Sequence, residues 1–276
     1  MTLAPTEILL QSPLVGANIV TLEQAEAFVL AAEDCTLPIL LQLSENAVRH
    51  HGALRPLGNA LLALAEDSVA QVGVHLDHAT EEDLVEEAVG LGFLSVMFDA
   101  SASPIKENIS RTAALVARYA PQGIWVEGEI GEVGGKYGNH DPRVLTPVKD
   151  AQLFWEQTQV SGLAIAVGSS HHMSDKRSTL DLERIRDIAN AVRVPLVLHG
   201  SSGVPMDQIR SAIRAGIRKI NVATEFNVVT TREIRTHLEA HPSVSDPRRY
   251  WDHAREALRQ SMMKYLTFIA QCAPPE

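Results

Sequence analysis

Short runs rich in apolar and β-favouring residues alternate along this chain with longer stretches whose apolar positions recur every three or four residues. The short runs occupy residues 14–19, 38–43, 72–77, 94–98, 124–129, 163–167, 194–198 and 218–222, and they predict eight buried strands. Between them, residues 22–32, 82–91, 105–118, 151–159, 181–192 and 206–215 carry helical periodicity, and a further helix is expected after Pro242, within 250–268. Thr21 followed by Gln24, and Thr80 followed by Asp83, have the pattern of helix N-caps with a partner three residues on. One connection breaks the rhythm: residues 131–146 are long and Gly-rich.

Strands that alternate with helices predict a parallel sheet, and eight repeats predict that the sheet closes on itself. The expected fold is therefore an α/β (β/α)8 TIM barrel with an extra C-terminal helix, occupying residues 1–276 as one domain. Composition narrows the partners. With 24 basic against 34 acidic residues, a formal charge of −10 disfavours a broad basic surface for nucleic acid. No apolar run has the length to span a bilayer, so no membrane role is expected, and Cys35 and Cys272 read as reduced thiols. A cytoplasmic protein follows as the expectation.

In barrels of this kind the working residues sit at the C-terminal strand ends. Val74-His75-Leu76-Asp77-His78 closes the third strand with ionisable groups that are costly to bury unless they are paired or bind a metal. Alternation puts His75 and Asp77 on one face, while His78 lies at the turn. Two readings compete there: a metal ligand beside a proton donor, or a hydrogen-bonded core cluster. The other strand ends are Asn18, Ser44-Glu45-Asn46, Asp99, Glu127 with Glu129, Ser169-Ser170-His171-His172, His199-Gly200-Ser201-Ser202-Gly203, and Asn221 through Thr224-Glu225. His78, His171 and His199 on three different strands suit a three-imidazole zinc site with an open position, and Glu129 is either an alternative ligand or a salt-bridge partner. The loops after the seventh and eighth strands occupy the usual phosphate position of such barrels, with glycine and hydroxyl donors at helix starts.

In its ordered set of motifs the chain resembles class II, zinc-dependent aldolases of the fructose-bisphosphate and tagatose-bisphosphate aldolase family. The resemblance rests on Asn18, Gln42-Leu43-Ser44-Glu45, His75-Leu76-Asp77-His78, Ser95-Val96-Met97-Phe98-Asp99, Glu127-Gly128-Glu129-Ile130-Gly131, Gly168-Ser169-Ser170-His171, His199-Gly200-Ser201-Ser202-Gly203 and Lys219-Ile220-Asn221-Val222-Ala223-Thr224-Glu225. It implies Asp77 as proton donor, zinc on His78, His171 and His199, and Glu129 as an alternate metal contact, with a monovalent cation as a further candidate. It also implies a dihydroxyacetone-phosphate pocket from His172, Gly200, Ser201, Ser202, Asn221, Val222, Ala223 and Thr224, with Asn18 and Ser44 at its edge. Arg255 is suggested as the contact to a second phosphate, against the plainer reading of a solvated helix charge. Two departures stand out. The family's acidic run after the Gly-Gly is replaced by Lys136-Tyr137-Gly138-Asn139-His140-Asp141, which leaves Glu132, His140 and Asp141 as candidate bases, while Gly131, Gly134, Gly135 and Gly138 make the loop an expected mobile lid. His172 stands where the family usually has glycine.

The implied activity is reversible cleavage of fructose 1,6-bisphosphate, tagatose bisphosphate or another phosphorylated ketose, in a homodimer or homotetramer with no nucleic-acid partner. A zinc hydrolase on the same barrel and a non-catalytic barrel subunit are the rivals. The first is disfavoured by the phosphate-type loops, the second by Asp77 together with the histidines.

Overall fold

The computed structural model describes residues 12–131, 145–170 and 176–272. Eight parallel strands close in chain order, each pairing with its sequence neighbours, and β8 returns to β1. They are β1 (Leu14–Asn18), β2 (Ile39–Ser44), β3 (Val72–Ala79), β4 (Ser95–Phe98), β5 (Trp125–Ile130), β6 (Gly162–Ile165), β7 (Leu196–Leu198) and β8 (Ile217–Val222). The helices are α1 (Leu22–Cys35), α2 (Glu45–His51), α3 (Arg55–Asp67), α4 (Glu82–Leu91), α5 (Ile105–Tyr119), α6 (Val148–Thr158), α7 (Leu182–Ala191), α8 (Met206–Ala215), α9 (Thr224–Ala240) and α10 (Pro247–Ala270). The expected TIM barrel and its C-terminal helix are both present, with α10 laid against α1 and α9. No helix of the described residues is long and apolar enough to cross a membrane.

Strand alternation sorts the side chains into two populations. Val15, Ala17, Leu41, Leu43, Val74, Leu76, Val96, Phe98 and Val126 belong to the large apolar core that the outer helices cover. Their neighbours in sequence face the barrel interior. There Leu14, Leu40 and Trp125 form one small apolar group and Met97, Ala164 and Val197 another, and Gly162 has no side chain because the indole of Trp125 fills its place, 2.4 Å from an added Cβ. Six further inward positions, Gln42, His75, Asp77, Glu127, Lys219 and Asn221, are polar and at most 5% exposed.

Local signals at the helix starts divide. Thr21 caps α1 in the expected reciprocal box with Gln24. Thr80 does not cap α4: the N-cap position falls one residue later, on Glu81, and Thr80 gives its backbone N–H and hydroxyl to the carboxylate of Glu45. A buried acceptor from a distant helix outcompetes the local cap, because Glu45 would otherwise lose a hydrogen-bond donor inside the protein.

Candidate active site

Consecutive strand residues normally point to opposite faces, so Asp77 and His78 should not meet. His78 adopts a left-handed backbone with φ 52°, and the pairing of β3 with β4 slips between Leu76 and Ala79. The kink turns His78 to the barrel mouth while Asp77 stays on the inward face. Asn18 Nδ2 donates to Asp77 Oδ2 at 2.7 Å and Asn221 Nδ2 to Oδ1 at 3.4 Å, and Gln42 Nε2 fixes the Asn18 amide through its Oδ1 at 3.2 Å. Burial alone would raise the Asp77 carboxyl, but His78, His199 and Lys219 outweigh it and hold the group well below the usual carboxylate range. Its resting form is the carboxylate.

His199, one residue past β7, is fully buried and turns Nδ1 toward His78 Nε2 at 2.8 Å. Two ring nitrogens that close must share a proton or a cation, since two lone pairs repel. Burial pushes His199 down to about 4, the neighbouring His78 adds to the shift, and the hydrogen bond to Glu127 opposes it. His75, also fully buried, is lowered to about 3, chiefly by burial. Both imidazoles are therefore neutral near pH 7, the form that ligates metals. Behind His199, Glu127 Oε1 lies 3.0 Å from Nε2, and Glu127 Oε2 accepts from Lys219 Nζ at 2.8 Å. Burial would raise Glu127, but Lys219 and then His199 hold it at about 2.

Two groups among the described residues bring donor atoms within metal-binding reach of one another: Asp77 with His78 and His199, and His78 with Asp99 and Glu129. His78 belongs to both. Its Nδ1 sits 3.0 Å from Asp99 Oδ2 and 3.6 Å from Glu129 Oε2, so its Nε2 is left to face His199. His171 and His172 lie outside the described residues, as do Glu132, Lys136, His140 and Asp141.

The opposite wall is built from the last two strand ends. Gly200 takes φ 65°, and a Cβ there would lie 2.7 Å from the backbone carbon of Ser170. The close approach requires glycine. Helix α9 has no side-chain cap of its own. Instead Ser202 Oγ accepts from the N–H groups of Ala223 and Glu225, at 3.4 and 3.2 Å, and ties the two loops together around a helix N-terminus.

A cavity of about 200 Å³ opens at this mouth, lined by Asn18, Ser44, Asp77, His78, His199, Gly200, Ser202, Asn221, Ala223 and Thr224. Three expected substrate contacts stand away from the lining. Ser201 is buried and spends its hydroxyl on the Asn221 carbonyl at 2.5 Å, and Val222 is packed in the apolar core; Glu129, expected as a metal contact, stands behind His78 in the second donor group. Arg255 pairs with Glu26 of α1 at 3.1 Å, on the outer helical layer, and does not line the cavity. The lining also includes Arg49, Thr80 and Asn227, which strand-end reading passed over because they lie on or before helices. Glu127 and Lys219 were visible as charges inside apolar strands; that they meet was not.

Comparison with known proteins agrees with this geometry. The chain is 35% identical over 253 residues to the fructose-bisphosphate aldolase of Geobacillus stearothermophilus, covering 89% of this chain and 87% of that protein. It is 34% identical over 249 residues to the fructose-bisphosphate aldolase of Staphylococcus aureus (strain Mu50), covering 89% and 87%. Among solved structures, the YdjI aldolase from Escherichia coli K12 superposes with a TM-score of 0.82 at 25% identity, over 96% of this chain and 93% of that one. The model of the family "Fructose-bisphosphate aldolase class-II" matches residues 11–273, and with strand-end chemistry, cavity and relatives in agreement, the chain belongs to that family of aldolases.

Proposed function

We propose that this chain catalyses zinc-dependent, reversible aldol cleavage of a phosphorylated ketose to dihydroxyacetone phosphate and an aldehyde, with residues 1–276 acting as one catalytic domain. The observation that carries the reading is the convergence of Asp77, His78 and His199 at one end of a cavity whose other end is a glycine- and serine-walled helix N-terminus. The names of the relatives make fructose 1,6-bisphosphate the first substrate to test. Tagatose bisphosphate, its stereoisomer, is the second.

The donor set suits zinc: the imidazoles of His78 and His199 face each other, each backed by a carboxylate, and His171 is the proposed third ligand. Zinc bound there supplies Lewis-acid stabilisation of the negative charge that develops on the donor half when the carbon–carbon bond breaks. Asp77, a carboxylate at rest, takes the hydroxyl proton from the carbon that leaves as the aldehyde and returns it in condensation. Asn18 and Asn221 hold its two oxygens so that one face of the carboxylate meets the substrate. Gly200, Ser202 and Thr224, beside Ala223, offer backbone N–H groups and hydroxyls to the phosphate at the α9 N-terminus, which orients the three-carbon donor. Glu132 or His140 is the proposed base for the donor's hydroxymethyl proton. A homodimer or homotetramer in the cytoplasm is the proposed working form.

The test is a panel of phosphorylated ketoses assayed for dihydroxyacetone phosphate release, with zinc-free protein before and after zinc is restored. Zinc-dependent release from a bisphosphate ketose is expected. Release that is unchanged after complete zinc removal, or hydrolysis with no carbon–carbon cleavage, would sink the proposal.

A further inference from the structure

Lys219 and Glu127 form an ion pair in the middle of the barrel, both without solvent exposure, and the aldol chemistry above gives neither a substrate contact. Such a pair is seldom kept for stability. Removing two charges from water costs several kcal/mol each, and apolar residues of similar volume usually serve a core as well or better. Nearby interior positions are in fact apolar, with Met97, Ala164 and Val197 packed together. The reason for the pair lies in what Glu127 touches next.

Among the described residues Lys219 Nζ has one hydrogen-bond partner, Glu127 Oε2 at 2.8 Å, and the other oxygen of that carboxylate meets His199 Nε2 at 3.0 Å. His199 Nδ1 in turn faces His78 Nε2 at 2.8 Å. A neutral imidazole carries its proton on one nitrogen only. A proton on Nε2, donated to Glu127, leaves the lone pair of Nδ1 aimed at the place that His78 also faces; a proton on Nδ1 points an N–H there instead. His78 also has a carboxylate behind it, with Nδ1 against Asp99 Oδ2 at 3.0 Å, and Asp99 Oδ1 is itself held by the backbone N–H and hydroxyl of Ser101 at 3.0 and 2.6 Å. Each carboxylate is thus clamped from behind, Asp99 by a serine and Glu127 by a lysine from a strand across the barrel.

We infer that Lys219 and Glu127 are positioning residues for the metal seat: Lys219 fixes the Glu127 carboxylate, and Glu127 fixes the tautomer and ring orientation of His199. The inference rests on the zinc reading of this site. Neither residue touches substrate. Both act through the imidazole, and outer partners of this kind typically contribute about 10- to 100-fold to metal affinity.

The discriminating variant replaces the pair as a whole. In Glu127→Leu/Lys219→Met the two charges leave together, so the barrel keeps its packing, whereas Lys219→Met alone strands a buried carboxylate and lowers the melting temperature. Zinc affinity is read by competition with a chromophoric chelator, and the His199 tautomer by long-range proton–nitrogen NMR of the zinc-free proteins. A melting temperature for the double variant near that of wild type is expected, with zinc bound about 10- to 100-fold more weakly and Nδ1–H signal gained at His199. Wild-type zinc affinity in the folded double variant would show that the pair only fills space, and would overturn the inference; so would a mixed His199 tautomer in zinc-free wild type. If wild type binds no zinc, or His199→Ala keeps it all, the zinc reading itself fails and the metal-seat role falls with it, while the tautomer measurement still reports whether Glu127 orients the ring.

Discussion

Replacing Asp77 by Asn tests the acid–base assignment with almost no change in volume. Both oxygens of Asp77 accept hydrogen bonds from amide groups, Asn18 Nδ2 at 2.7 Å and Asn221 Nδ2 at 3.4 Å. An asparagine has one oxygen, so its NH2 must face one of these donors. Placed toward Asn221, where the bond is longer, the mismatch is cheapest; leaving one buried donor unmet costs about 1–3 kcal/mol of stability. The chemical effect is larger. A positioned acid–base group contributes about two to four orders of magnitude, or about 3–5 kcal/mol in the barrier at 1.36 kcal/mol per decade. Asp77→Asn should therefore cleave bisphosphate ketose 10²- to 10⁴-fold more slowly, by a coupled assay of dihydroxyacetone phosphate, with zinc content unchanged. Exchange of the donor's hydroxymethyl proton with solvent should continue, because that proton belongs to another base. Cleavage within threefold of wild type would refute the assignment. Exchange lost in parallel with cleavage would move Asp77 from proton transfer to donor binding.

Stability of the zinc-free protein should rise with pH across the window from about 4 to 6.5, because His199 and His75 are lowered to about 4 and about 3 and the unfolded chain binds protons there that the native state does not. Each contributes at most about 1.4 kcal/mol per pH unit, so chemical denaturation at pH 5 and pH 7 should differ by several kcal/mol, and equal stabilities would contradict the buried, neutral state of these rings. Gly200→Ala forces a side chain onto a left-handed residue and against the Ser170 backbone at 2.7 Å; the Michaelis constant for ketose phosphate should rise at least tenfold while circular dichroism stays native, and an unchanged constant would remove the Gly200 turn from the phosphate site. Arg255→Ala should change stability by no more than about 1 kcal/mol, the value of a surface ion pair, and leave the Michaelis constant for a bisphosphate unchanged. A raised constant would restore Arg255 as a substrate contact.

The alternation of hydrophobic runs and helical stripes determined the barrel before any contact was known, since a chain of parallel strands joined by amphipathic helices has few other ways to bury both faces of its sheet. Strand ends are where backbone turns outward, so Asn18, Asp77, His78, His199 and Asn221 were legible as a convergent set from strand order alone. What lay beyond the sequence depended on distances across the barrel. Glu127 and Lys219 are 92 positions apart, and their meeting depends on the tilt and stagger of four strands, which no local pattern records. Thr80 has every mark of an N-cap yet serves Glu45, because a buried carboxylate 35 positions away competes for the same hydroxyl. Arg255 has the charge to hold a phosphate, but α10 lies on α1, where Glu26 takes it. His78 shows the same division within one residue: its type and its place at a strand end were written in the chain, while the left-handed turn that brings it beside Asp77 came from the slip of β3 against β4. Residue type and periodicity are local properties; register, tilt and the pairing of buried charges are collective ones, decided only when the whole barrel closes.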